Sequence, residues 1–186
     1  MENYIKYISK LSKEKSNVEF LNSDKDRALA VLVQIINSSS RIVRIFAGAL
    51  CSEVPSDNQY VSALSDFIER NGVVRIMLNQ FDDGKAKESN LFKRLAYYLE
   101  LNKDIKIFST EARPYLISDP EKNEIHFTTG DDCAYRVETD IEKKTAKCNF
   151  NNPQAAENLI QFFDELAGNA EVTDEITEHV KKLFVD

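Results

Sequence analysis

Hydrophobic and polar positions follow two rhythms along the chain. In SDKDRALAVLVQIINSS, residues 23–39, Ala28, Leu29, Leu32, Ile35 and Ile36 recur at spacings of three and four, which predicts a helix capped by Asn22 or Ser23. RIVRIFAGAL then has the length and β-branching of a strand. DNQYVSALSDFIERNG repeats the helical stripe in Tyr60, Val61, Leu64, Phe67 and Ile68, with Asp57 as cap and Gly72 where a helix ends in a left-handed residue. VVRIMLN is a second strand, SNLFKRLAYYLELN a third helix and IKIFS a third strand.

After IKIFS the rhythm changes. EIHFTTG, CAYRVE and KTAKCNF are strand-like, with short turns and no helix between them, which predicts an antiparallel meander. NNPQAAENLIQFFDELAGN opens a helix with Asn152 as cap and Pro153 at its first position, burying Ala156, Leu159, Ile160, Phe163 and Leu166. Residues 172–184 read as an added amphipathic helix, with His179 toward solvent. Alternation of this kind implies right-handed crossovers. The expected fold is a single α/β domain over residues 1–186, a mixed and mostly parallel sheet flanked by helices on both faces, with its core over about 22–166.

Charge and cysteine usage narrow the function. The chain of 186 residues carries 24 basic and 31 acidic side chains, net -7. Much of that excess follows Gln154, and no basic stripe suggests a duplex cradle, so nucleic acid is not favoured as a partner. Cys51, Cys133 and Cys148 make an odd set without a CxxC pair, which argues against disulfides and structural zinc and predicts reduced thiols in a cytoplasm. The longest apolar run, ALAVLVQII, is too short to span a bilayer, and no membrane role is expected. Walker, GxGxxG, HExxH and GxSxG patterns are missing, so no cofactor and no metal is implied.

One of the two histidines lies in IHFTTGDDCAYRV. This segment resembles the His-x-Lys hairpin of the phospholipase D superfamily, which includes small bacterial nucleases. SSRIVRIFAGAL resembles that family's first core strand, DFIERNGVVRIML its helix and second strand, and AKCNFNNPQAAENL its Gly-Ser-x-Asn element. The resemblance implies that His126 is a nucleophile and that Asn149 holds phosphate oxygens. It departs at the lysine position, which holds Thr128, at the aspartate position, which holds Cys133, and at the Gly-Ser pair, which holds Ala146 and Lys147.

Phosphoryl transfer relies on fixed positive groups, and threonine brings none. Lys147, one strand away, is the candidate replacement, so Asn149, Lys147 and Thr128 form the expected phosphate-binding set. Asp131 and Asp132 read first as turn residues and second as groups orienting His126. A single repeat is half an active site, so the resemblance implies a homodimer with the sheet edge around His126 and Asn149 near the two-fold axis. The leading expectation is a catalytically degenerate domain acting as a binding or regulatory module, with a protein partner beside it. The alternatives are a divergent phosphodiesterase or nuclease using His126, and a plain α/β interaction domain.

Overall fold

A computed structural model describes residues 1–185. Helix α1 (Glu2–Lys13) leads to the short strand β1 (Phe20–Asn22). Helix α2 (Lys25–Ser38) precedes β2 (Ile42–Ala47), α3 (Asn58–Glu69) precedes β3 (Val73–Leu78), and α4 (Asp83–Glu88) with α5 (Asn90–Glu100) precedes β4 (Ile105–Thr110). Strands β5 (His126–Gly130), β6 (Ala134–Asp140) and β7 (Thr145–Asn149) form the meander. Helix α6 (Pro153–Ala167), strand β8 (Thr173–Glu175) and helix α7 (Thr177–Lys182) follow.

All eight strands join one sheet in the order β1-β7-β6-β5-β2-β3-β4-β8. The sheet is mixed, as expected, but parallel pairing is confined to β2-β3-β4, and antiparallel pairs outnumber it. Two short edge strands account for part of that balance: β1 runs antiparallel to β7 and β8 antiparallel to β4. The expected helix over 172–184 is thus shortened, its first residues forming β8 and only Thr177–Lys182 being helical. His179 is exposed, as read, and its Nε2 lies 2.8 Å from Asp83 Oδ1.

The central strands are buried on both faces and therefore read as apolar runs rather than as alternation. On one face, Val43, Ile45, Val74, Ile76, Ile105 and Ile107 pack against α2, α3, α5 and α7. Toward β6 and β7 the same face is covered by α1, through Ile8 and Leu11 beside Val31 and Ile35 of α2. Among the described residues the opposite face rests on α6 alone, whose Ala156 and Phe163 meet Phe46, Met77, Phe108, Phe127 and Val137. Both faces are covered, very unequally.

Two helix boundaries differ from expectation for local reasons. Asp24 caps α2, accepting the Arg27 N–H at 2.8 Å, because Asn22 is committed to β1. The left-handed residue after α3 is Asn71, at φ 65°, rather than Gly72. Gly72 is required for space, since a Cβ there would stand 2.4 Å from the Phe67 ring.

The β5–β6 turn is tied to the start of β2 by one carboxylate. Asp131, itself left-handed at φ 48°, accepts the N–H groups of Ser40, Arg41 and Ile42 at 3.0, 2.8 and 3.1 Å and the Ser40 hydroxyl at 3.1 Å. Asp132 pairs with Arg41. Burial alone would raise the Asp131 carboxyl, but these donors outweigh it and hold it below its usual 3.8. A depressed carboxyl stabilises the fold above its unfolded value and loses that contribution as pH falls through the folded value. Asp131→Ala is expected to cost about 2 kcal/mol at neutral pH. The gap from wild type should shrink below pH 3.8 in urea titrations, and a gap constant with pH would refute the assignment.

Candidate functional site

The hairpin register decides which side chains meet. Counting outward from the turn, Gly130 pairs with Ala134, Thr128 with Arg136 and His126 with Glu138. Gly130 is needed because a Cβ would stand 2.4 Å from Ser39 Oγ. Strand β7 continues the same rows with Cys148 opposite Arg136 and Ala146 opposite Glu138, and β1 adds Phe20 and Asn22. Side chains two apart share a face, so His126, Thr128, Arg136, Glu138, Cys148 and Asn22 all lie on the side covered by α2.

His126, Thr128, Arg136 and Glu138 of this set line the floor of a cavity of about 390 Å³. Its apolar wall comes from Ala28 and Leu32 of α2, Leu50, Val54 and Pro55 of the β2–α3 loop, and Tyr60 of α3. Gln80, Lys85 and Lys144 also border it. Gly48 brings the backbone close to the histidine, since a Cβ there would lie 3.5 Å from both His126 Cε1 and Gln80 Oε1.

His126 sits between two carboxylates. Its Nδ1 lies 3.5 Å from Glu138 Oε2 and its Nε2 lies 3.4 Å from Glu124 Oε1. Nε2 is buried and makes no hydrogen bond. Glu124 is fixed from behind by Asn79 Nδ2 and Arg113, each at 2.8 Å. Burial opposes ionisation of Glu124, but the Asn79 and Arg113 hydrogen bonds outweigh it, as do the His126 and Arg113 charges, and lower its carboxyl. Glu138 is similar: burial would raise it, and the His126 ring with the charges of Arg136 and Lys144 lowers it below 4.5.

Arg136 is the cation at the centre of this floor. It is 5% exposed, and its Nη2 donates to Glu138 Oε1 at 3.1 Å and to the Lys144 carbonyl at 3.2 Å. Its Nε donates to Asn22 Oδ1 at 3.0 Å, and Asn22 Nδ2 donates in turn to the Lys144 carbonyl at 2.6 Å. The Cys148 thiol, 3.4 Å from Asn22 Oδ1, is pushed up to about 12, chiefly by burial. Burial also raises Cys51 and Cys133, which disfavours the thiolate form at all three cysteines. Among the described residues no group of three His, Cys, Asp or Glu side chains forms a metal site.

The residues singled out in the sequence separate into three places. His126 and Thr128 share the cavity floor, as alternation requires. Lys147 pairs in register with Val137, and Asn149 with Tyr135, so both point to the α6 side of the sheet. Lys147 is exposed there. Asn149 is 1% exposed, donating to Asn17 Oδ1 at 3.0 Å and accepting the Asn151 N–H at 2.8 Å. Asp131 and Asp132 stand past the far end of β5, about 14 Å of strand from His126, where they hold the turn. His126 lies on an interior strand rather than at a sheet edge. The groups that reading missed are Arg136, Glu138 and Glu124.

No family model matches the sequence, nor does any curated protein sequence. Solved structures do match in shape. Nuc from Salmonella typhimurium, described as a phospholipase D family member, superposes with a TM-score of 0.56 at 12% identity, covering 85% of this chain and 98% of Nuc. NucT from Helicobacter pylori gives 0.54 at 14% identity, covering 81% and 96%. TrmBL2, an archaeal chromatin protein described with a novel mode of DNA binding, gives 0.55 at 9% identity, covering 92% of this chain and 60% of its own. With the mixed sheet, its meander and its strand order, these similarities establish that the chain has the phospholipase D fold.

Proposed function

We propose that this chain is a catalytically degenerate phospholipase D-like domain that binds its ligand without cleaving it and serves as a binding or regulatory module. One observation carries the reading: each ring nitrogen of His126 faces a carboxylate, and Nε2 is enclosed against Glu124. A nucleophilic histidine needs one nitrogen open to the phosphorus while the other is held by an orienting group. A second carboxylate at the attacking nitrogen also repels an incoming phosphate oxygen.

The three free thiols are consistent with a cytoplasmic setting, and among the described residues no helix is long and apolar enough to cross a membrane. Homodimerisation belongs to this proposal. Half-buried Leu159, Ile160, Phe162 and Leu166 on α6 provide an apolar face for it.

A second reading, an active divergent phosphodiesterase, is favoured by one specific feature. Arg136 stands directly opposite Thr128, so a buried cation occupies the neighbouring strand where the family's lysine is missing. Turnover of a chromogenic phosphodiester and of single-stranded DNA, wild type beside His126→Ala, separates the two. The expected result is no turnover by either protein. Turnover by wild type that disappears in His126→Ala would establish the second reading, and the mass of the same samples in solution tests the dimer.

A further inference from the structure

The cavity concentrates positive charge in a chain whose net charge is -7. Lys85, Arg136 and Lys144 all border it, and Glu138 is the one carboxylate among its lining residues. Arg136 is paired with Glu138, whereas neither Lys85 nor Lys144 has an ion pair among the described residues. Glu124, which meets His126 from outside the lining, is balanced by its own partner Arg113, so three cations against one further carboxylate leave two positive charges at the cavity. The Lys144 ammonium is near enough to Glu138 to lower its carboxyl, and the Lys144 carbonyl is gripped by Asn22 and Arg136. Those two bonds fix the backbone from which the Lys144 side chain starts, although its φ of 56° is an unusual conformation for a lysine.

From this arrangement we infer that the cavity binds a small phosphomonoester with a compact apolar or aromatic body. This rests on the non-cleaving reading above and names its ligand. The charge selects the class: a monoester near neutral pH carries close to two negative charges on one group, matching the surplus, whereas a diester carries one. Lysine and arginine are suited to such a group because their donors converge on several phosphate oxygens. The body of the ligand would lie along Leu32, Leu50, Val54, Pro55 and Tyr60, and a volume of about 390 Å³ is in the range of small-molecule sites. Ionised Glu138 offers an acceptor to a hydroxyl or amino group on that body.

Calorimetric titration of the full chain with phenyl phosphate, adenosine monophosphate and inorganic phosphate tests this, with methyl phenyl phosphate as the matched diester. Phenyl phosphate is expected to bind at least about tenfold more tightly than the diester. Lys85→Ala combined with Lys144→Ala should weaken it by about tenfold or more, while Lys147→Ala, altered on the other side of the sheet, should leave affinity unchanged. Both lysines border the cavity mouth rather than the core, so the variants should fold, and circular dichroism checks that they do. The inference is overturned if neither organic monoester binds at millimolar concentration, if the diester binds as well as the monoester, or if the double variant keeps wild-type affinity. Cleavage of the diester in the same samples would instead refute the non-cleaving reading, with the affinity ratio still deciding the ligand class.

Discussion

Arg136→Met is expected to destabilise the protein by about 3–5 kcal/mol, the usual cost of leaving a buried charge without its partner. Arg136 and Glu138 have side chains only 6% and 8% exposed, and removing the guanidinium also strips Asn22 Oδ1 of a donor. Methionine keeps much of the volume, so the loss measures charge and hydrogen bonding more than a void. Adding Glu138→Gln should recover a substantial part of it, because the orphaned carboxylate is then gone. Equilibrium urea unfolding of the four proteins gives the coupling directly. A loss under about 1 kcal/mol for Arg136→Met would mean that water enters the floor and screens the pair.

The pH dependence of the same pair has a definite sign. In wild type the Glu138 carboxyl lies below its usual 4.5, so it stabilises the fold above that value and the contribution fades as pH falls through the folded value. Without Arg136 the burial that opposes ionisation is less compensated, and the carboxyl moves upward. Part of the destabilisation in Arg136→Met should then be relieved on acidification, and the two stability curves should converge as pH drops toward 4.

Much of the fold could be read from the sequence because its signals are local. The stripes of α2, α3 and α5, the Asn152-Pro153 opening of α6 and the β-branched runs of β2 to β4 each specify an element without reference to distant residues. Strands β1 and β8 were not legible, since three residues have no period of their own and exist as strands only because β7 and β4 offer them edges. The site was legible in part. His126 and Thr128 share a face by alternation, and the same parity argument places Lys147 and Asn149 opposite, beside Val137 and Tyr135. Arg136 and Glu138 carried a usable signal, two charges two residues apart inside the strand-like run CAYRVE. Counting back from the turn would have set them opposite Thr128 and His126. Glu124 carried the same signal, two residues before His126 in the strand-like run EIHFTTG, whereas its support by Asn79 and Arg113 depends on distant parts of the chain.

Phe163→Ala should also cost about 3–5 kcal/mol, for a different physical reason. Phe163 is 1% exposed and meets Phe108 edge-on, with ring centroids 6.4 Å apart. It lies in the second half of α6, among the described residues the one helix on its face of the sheet, so no neighbouring helix can move in to fill the gap. The loss should appear as a lower urea midpoint with an unchanged slope. Because the cavity opens on the other side of β5 and β6, folded Phe163→Ala should bind phenyl phosphate as wild type does. Affinity that fell along with stability would mean that the two faces communicate through Phe127, which packs toward α6 between His126 and Thr128. Unchanged affinity would make α6 a support for the sheet and leave recognition to the α2 side.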